Sequence, residues 1–238
     1  MSKISIIRLM LIERLKTPRF LYLFFICGAN TLFFSFAFSL DMIYYAQEVQ
    51  MNALQLVLVG TMLEFAVLIF EVPTGIVADL YGRKRSVIIG YVMIGLGIAL
   101  QGIVPTYWMV MLCQLLWGMG YTFTSGSVEA WLSDEIGETK ANELIVLGLR
   151  PSQIMGIIGV ALAAVVYPLS MRLPFIISGA GFILTALVLM VFMAEHGFKP
   201  VVRSELNVFQ QMWETFKDGL SETKRRPTLK WILLLAVF

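Results

Sequence analysis

Six apolar stretches, each long enough to cross a lipid bilayer, dominate this chain of 238 residues. A membrane-spanning helix needs about 20 mostly apolar residues, and the stretches of that length lie at residues 20–45, 54–78, 86–104, 108–131, 143–170 and 173–193. Only a helix or a closed barrel satisfies all its backbone polar groups in hydrocarbon. The pattern therefore predicts an all-α, polytopic membrane protein with six spans.

The composition supports this class and excludes others. Hydrophobic residues make up 58% of the chain and charged residues 14%, whereas soluble domains have about 45–50% and about 25%. A net charge of +2 and only two cysteines exclude a nucleic-acid binder and a disulfide scaffold. Cys27 and Cys113 fall inside apolar stretches, where we expect buried, unpaired side chains.

The distribution of basic residues predicts the orientation. Lysine and arginine accumulate in cytoplasmic loops, and every basic residue except Arg172 lies before the first span, between spans two and three, near the start of span five, or after span six. We therefore expect the amino terminus and the loop after span six to be cytoplasmic. Residues 4–15, an amphipathic stretch with basic residues on both sides, are expected to lie along the membrane surface.

Three regions are predicted along the chain: a six-helix transmembrane domain at residues 1–195, a cytoplasmic linker at 196–229, and a short apolar run at 230–238. An eight-residue helix rises only about 12 Å, which is too short to cross a bilayer. The run is interpreted as the start of a seventh transmembrane helix, with the sequence ending inside it. A buried or interfacial tail is the alternative.

The connection between spans two and three carries a distinctive motif. Gly75 is followed four residues later by Asp79, and then by Gly82, Arg83, Lys84 and Arg85. Glycine permits close helix approach and tight turns, and an acid at a membrane boundary is able to cap a helix or pair with a base.

This motif resembles the signature of the major facilitator superfamily, and the span count, topology and long loop after span six extend the resemblance over the whole chain. It implies the amino-terminal six-helix half of a twelve-helix fold, built from two inverted three-helix repeats. In that family the acid and arginine of the motif form charge contacts that hold one transport state. The resemblance assigns this role to Asp79 and Arg83, with Asp134 after span four as their partner; a solvated surface pair is the alternative.

Ionisable side chains at membrane depth are costly and commonly functional. Glu64 lies near the middle of span two, and Glu71, seven residues later, falls on the same helix face. We interpret Glu64 as the first candidate for proton coupling or cation binding, with Glu71 as its nearest rival; a neutral acid hydrogen-bonded to a neighbouring helix is the alternative. The polar Asn30 of span one and Gln153 of span five are further candidates for the substrate pathway.

Glu129 and Arg150 are predicted to form an intramembrane ion pair between spans four and five, because an arginine removed from water generally finds an acid. A structural or gating role is favoured for this pair over substrate contact.

The resemblance implies a secondary active transporter of small organic solutes that works by alternating access, with proton-linked efflux across the cell membrane as the leading hypothesis. Two features that proton-coupled exporters often carry are missing: Gln114, ahead of Gly118, stands where they have arginine, and span five has no Gly-Pro. Uptake by symport or uniport therefore remains open, as does a non-transporting fragment or a regulatory membrane partner.

The expected partners are the bilayer, a small-molecule substrate, a coupling ion that we take to be H⁺, and the missing carboxy-terminal half or a second copy of the chain. No nucleic acid, metal or cofactor is expected. Because His196 is the only histidine, Ser-His catalysis and histidine metal sites within the membrane lack their central residue, so an enzyme is not predicted.

Overall fold

The computed structural model describes residues 16–199 together with Gln210 and Lys217. Every element between residues 16 and 199 is helical. The surface segment predicted at residues 4–15, the short run at 230–238 and most of the predicted linker lie outside the described residues.

Seven helices make up the described part of the chain. The first, α1, runs over Pro18–Gln47, with its residues Leu21–Ala29 wound as a π-helix and a break at Ser39 and Leu40 before Asp41–Gln47. The others are α2 (Ala53–Tyr81), α3 (Arg83–Ile103), α4 (Tyr107–Thr124), α5 (Ser127–Ile136), α6 (Glu138–Val166) and α7 (Leu173–Phe192).

Five of these helices are long and apolar enough to cross a membrane: α1, α2, α3, α6 and α7. The multi-pass helical fold predicted from the sequence is therefore confirmed. The continuous fourth span predicted at residues 108–131 is wrong in its extent, because the helix ends at Thr124 and a short helix, α5, carries Trp131. Gly126 causes the break, since its φ of +69° is a left-handed conformation that interrupts an α-helix.

The packing order reflects the two three-helix repeats. The central helix α3 packs extensively against α7 and α4, while α2 packs against α4 and α6 against α1. Thus the second span of each repeat lies on the first span of the other. Successive spans run in opposite directions, so that Asp79–Arg85 and Asp134 lie at one end of the bundle, which we name the motif end, and Glu48 and Arg172 lie at the far end.

Glycines set the spacing around α3. Gly90 of α3 meets the backbone of Gly120 in α4, and Gly95 meets that of Gly179 in α7. A Cβ atom at Gly179 would lie 2.5 Å from the carbonyl oxygen of Gly95. Helices in hydrocarbon are held together largely by such close backbone approach, so these contacts fix the position of α3 within the bundle.

We expect Gly179→Ala to lower the stability of the protein, because the added methyl group overpacks the contact between α3 and α7, at a cost of about 1–3 kcal/mol. Gly60→Ala is the matched control: no atom lies within 4 Å of a Cβ there, and alanine is the better helix former by about 1 kcal/mol. Thermal unfolding in detergent measures both variants. Equal melting temperatures for the two would contradict the packing role of Gly179.

Candidate functional site

The motif forms a tight turn between α2 and α3. Gly82 ends α2 and begins α3, and its φ of +112° lies in the region that favours glycine. Its amide donates to the carbonyl of Ala78, and its own carbonyl accepts from the amide of Ser86. The turn thus places Asp79 on the last turn of α2 and Arg83 on the first turn of α3.

Asp79, Arg83 and Asp134 come together at the motif end, and we name them the motif cluster. Arg83 forms an ion pair with Asp79, and its Nε lies 4.0 Å from Oδ2 of Asp134. The arginine side chain is only 20% exposed, whereas the two acids are 43% and 37% exposed. Its Nε is buried and has no hydrogen bond, so Arg83 is bound to one acid and stands close to a second.

A third acid, Glu195, was missed by the sequence analysis. It follows α7, and its Oε1 accepts a hydrogen bond of 2.8 Å from the backbone amide of Lys84. A Cβ at Gly82 would lie 2.8 Å from Oε2 of Glu195, so a larger residue there would displace the Glu195 carboxylate from this contact. Glu195 therefore caps the amino terminus of α3, where a negative charge is stabilising, and Lys84 contributes its backbone amide to this contact.

Residues 194–197, which we name the exit segment, are also bound to α5. The indole Nε1 of Trp131 donates to the carbonyl of Ala194 at 2.7 Å. Oε1 of Glu135 accepts from the amides of His196 and Gly197 at 2.5 and 2.9 Å, and its Oε2 lies 3.3 Å from Nδ1 of His196. The exit segment thereby connects α5 to the start of α3.

The pKa of Glu135 reflects these contacts. Burial alone would raise its pKa, because the side chain is only 7% exposed. The backbone amides of Gly197 and His196 and the imidazole of His196 outweigh burial and hold the pKa below the ordinary value of 4.5. The carboxylate of Glu135 is therefore the form that binds the exit segment.

The two acids of span two lie on one exposed face of α2. Glu71 accepts a 3.2 Å hydrogen bond from the Ser125 hydroxyl, at the break between α4 and α5, while Glu64 is exposed and has no ion pair or hydrogen bond within residues 16–199. No atom lies within 4 Å of the position that a Cβ would take at Gly60 or at Gly75. Nothing in the described chain covers this face, and hydrocarbon would not accommodate its charges.

Asn30 and Gln153 are the two polar candidates for the substrate pathway. Asn30 is half-buried in α1 and Gln153 is exposed on α6, and neither side chain makes a hydrogen bond to another described residue. On the same stretch of α1, Phe34 and Phe38 pack against Trp117 of α4, with centroid distances of 5.7 and 4.9 Å. That aromatic contact joins the first helices of the two repeats.

The ion pair predicted between Glu129 and Arg150 does not form in the structure. Both side chains are exposed, and neither has an ionic partner in the part of the chain that is described. The reason is the helix break at Gly126, which places Glu129 in the short helix α5 instead of the end of a membrane span. Arg150 instead lines a groove with apolar residues of α1 and α6.

A neutral network at the far end connects three helices. The Tyr45 hydroxyl accepts hydrogen bonds from Nε2 of Gln101 and Nε2 of Gln114 at 3.0 and 3.1 Å, and the Tyr44 hydroxyl donates to the Gln101 carbonyl at 2.6 Å. Both glutamines are almost fully buried. Gln114 of α4 is thus hydrogen-bonded to Tyr45 of α1 and links these two helices.

Comparison with known families decides the classification. A family model described as Major Facilitator Superfamily matches residues 20–238. This chain belongs to the major facilitator superfamily. The resemblance inferred from the motif is therefore confirmed, and the apolar helices are those of a multi-pass protein in a family of membrane transporters.

Two curated relatives add detail. The chain is 32% identical over 124 residues to an uncharacterized MFS-type transporter, YxaM, of Bacillus subtilis, and the match covers 52% of this chain and 31% of that protein. It is 30% identical over 112 residues to sugar transport protein 12 of Arabidopsis thaliana, covering 47% of this chain and 22% of that protein. The matched stretches make up less than a third of each relative.

We expect Glu135→Gln to destabilise the protein at neutral pH, because an amide replaces a carboxylate that accepts two backbone hydrogen bonds. Hydrogen bonds to a charged group contribute about 1.5–3 kcal/mol. Since the pKa of Glu135 is lowered by folding, its contribution is present above the ordinary value of 4.5 and is lost as the pH falls through the folded-state value. Thermal unfolding is measured from pH 8 to pH 3. The melting temperature of the variant should lie below that of the native protein at neutral pH, and this difference should disappear only in acid.

Glu143→Gln serves as the control, because Glu143 is exposed and has no ionic partner among the described residues. A difference in melting temperature between Glu135→Gln and the native protein that stayed constant down to pH 3 would contradict the role given to the Glu135 carboxylate.

Proposed function

We propose that this chain forms half of a secondary active transporter that moves a small organic solute by alternating access, with proton-linked efflux as the first candidate. The observation that carries the proposal is the motif cluster, in which Arg83 is paired with Asp79 and stands 4.0 Å from Asp134. A movement of about 1 Å would bring Arg83 Nε within hydrogen-bond distance of Asp134. Arg83 therefore lies within reach of both acids, and in the proposal its pairing changes between the transport states.

The exposed face of α2 supports a transport pathway. It carries Glu64 and Glu71 on a helix long and apolar enough to span a bilayer, and such acids generally face water or another protein surface instead of lipid. Acidic side chains within membrane-spanning helices commonly belong to ion or proton pathways in transporters. We assign the coupling role to Glu64, since Glu71 is already bound to Ser125.

A second helical unit completes this pathway in the proposal. Gly60 and Gly75, on the same face of α2, have room for close approach by another helix. The unit is the carboxy-terminal half of the same protein or a second copy of the chain. The bias of basic residues supports an orientation with the motif end in the cytoplasm, and the membrane in this proposal is the cell membrane.

Uptake is the second candidate, supported by a different observation. Gln114, at the position where exporters often carry arginine, is satisfied in a neutral network with Tyr45 and Gln101, and one relative is named a sugar transport protein. Proton-linked uptake uses the same cluster and the same acids in reverse. If the chain is instead a non-transporting partner protein, no flux is expected in either direction.

We expect Asp79→Asn to shift the protein between its two conformations, because the substitution removes the stronger of the two attractions on Arg83. The measurement is maleimide labelling of a single cysteine at Tyr121, an exposed residue of α4 near the motif end, after replacement of Cys27 and Cys113. The labelling rate should change severalfold. Glu138→Gln, a charge change at the same end, is the control, and an unchanged rate in Asp79→Asn would count against a conformational role.

We expect Glu64→Gln to abolish flux driven by a pH gradient, because an amide cannot exchange the coupling proton. The assay uses the full-length transporter in proteoliposomes with a panel of candidate solutes, and the direction of flux distinguishes efflux from uptake. Glu138→Gln should retain at least half of the native rate. Undiminished gradient-driven flux in a folded Glu64→Gln protein would exclude the coupling role.

A further inference from the structure

Charge is unevenly distributed among the residues at membrane depth. The sequence has no lysine or arginine from Phe20 to Gly82, a stretch that contains the first two predicted spans. Those two spans carry three acids, Asp41, Glu64 and Glu71, and residues 86–124 contain no charged side chain. A solute that enters between α1, α2 and α4 therefore meets negative charge without a base to neutralise it.

An aromatic surface lies where α1 meets α4. Phe34 and Phe38, one helical turn apart on α1, contact the Trp117 ring with centroid distances of 5.7 and 4.9 Å. Tyr121 follows Trp117 by one turn on the same face of α4. Phe34 is 39% exposed and Tyr121 is 50% exposed. We name these four residues the aromatic surface, and part of it is open to a ligand.

Glu64 lies at the level of the aromatic surface. α2 and α4 are in close contact at Gly118, where a Cβ would lie 2.8 Å from the Cβ of Ala66 and 3.2 Å from the carbonyl oxygen of Leu63. Trp117 precedes this glycine and Glu64 follows Leu63 in the sequence. An aromatic ring and an exposed carboxylate therefore flank the same contact between two helices.

Glu71 places a second carboxylate near the other end of the aromatic surface. It accepts a hydrogen bond from the Ser125 hydroxyl, and the amide of Ser125 donates to the carbonyl of Tyr121 at 2.8 Å. Glu71 is thus at the level of Tyr121, as Glu64 is at the level of Trp117. Each ring of α4 in the aromatic surface has an acid of α2 beside it.

A polyhydroxylated solute finds few partners on these walls. Such a solute needs several side chains with free hydrogen-bonding groups, but the side-chain amides of Gln101 and Gln114 both donate to Tyr45. Asn30 adds a single amide to the face of α1 that carries Phe34, four residues later. The described walls therefore favour apolar and aromatic contact.

An anionic solute is disfavoured for a different reason. Arg150 is the one basic residue inside the six predicted spans, and it lines a groove with Gly28 and Leu32 of α1. Leu32 is two residues from Phe34, which is about 200° around an α-helix. Arg150 therefore stands against the opposite side of α1 from the aromatic surface.

We propose that the solute is a lipophilic organic cation, bound against the aromatic surface with its charge nearest to Glu64. This inference rests on the proposed function, because it names the substrate class of the same pathway. A cation is attracted to the face of an aromatic ring within about 6 Å of its centroid, and quaternary ammonium ions are typical ligands of such sites. Apolar groups around the charge are favoured, since a bare charge is costly to remove from water.

Two ions of the same shape and opposite charge test the substrate class. The probes are tetraphenylphosphonium and tetraphenylborate, measured by equilibrium dialysis against the full-length protein in detergent, with protein-free micelles as the blank. We expect saturable binding of the phosphonium ion and binding of the borate that is weaker by about tenfold or more, because the acids attract one ion and repel the other. Equal affinities, a preference for the borate, or no saturable phosphonium binding would overturn the proposal.

Substitutions test the residues that hold the cation. Glu64→Gln should weaken phosphonium binding by about tenfold or more. Trp117→Leu should weaken it by about threefold to tenfold, and Trp117→Phe should retain most of the affinity because it keeps a ring. If Trp117→Leu does not fold, Phe34→Leu tests the same surface at an exposed position.

Glu138→Gln is the matched control, because it removes an exposed acid at the motif end, and it should leave phosphonium affinity within about twofold of the native value. Native affinity in Glu64→Gln, or an equal loss in Glu138→Gln, would overturn the proposal.

Binding and flux separate this inference from the proposed function. Phosphonium binding that depends on Glu64, in a protein that carries no solute in proteoliposomes, would refute transport and leave the cation site standing. Gradient-driven flux of a neutral solute by a protein that does not bind the phosphonium ion would refute the substrate class and leave the transporter standing.

Discussion

Close backbone contact around α3 is the constraint on which the rest of the bundle depends. In hydrocarbon, pairing one leucine with another gains little over contact with lipid, so association depends on packing density. Gly90 and Gly95 let α4 and α7 approach α3 closely. Because α3 begins directly after the turn at Gly82, its position also fixes where Arg83 stands relative to Asp79 and Asp134.

Different kinds of interaction stabilise the two ends of the bundle. At the far end, Tyr45, Gln101 and Gln114 form a buried neutral network, which is costly to open because each amide would lose its partner in a medium without water. At the motif end the ion pairs of Arg83 in the motif cluster are partly exposed, and such pairs contribute only about 0–1 kcal/mol. The ion pairs of the motif cluster are therefore easier to break than the buried network at the far end.

The sequence predicted the class, most of the spans and the motif, because apolar length and glycine spacing are local signals. The residues Asp79, Arg83 and Asp134 do lie together, but their role as a switch remains a prediction. The extent of the fourth span was misread, since Ser125 and Gly126 stop a helix without a charge or proline to mark it. Glu195 was missed because it lies 111 positions from Lys84, and nothing in the local sequence indicates so distant a contact.

The exit segment leads directly into residues 200–238, and it is bound through Glu195 to the first turn of α3 and through Glu135 to α5. These two carboxylates fix the point at which the chain leaves α7 relative to the turn at Gly82. A displacement of the exit segment would therefore withdraw the acid that caps α3, which makes the geometry of the motif sensitive to the position of the chain that leaves α7.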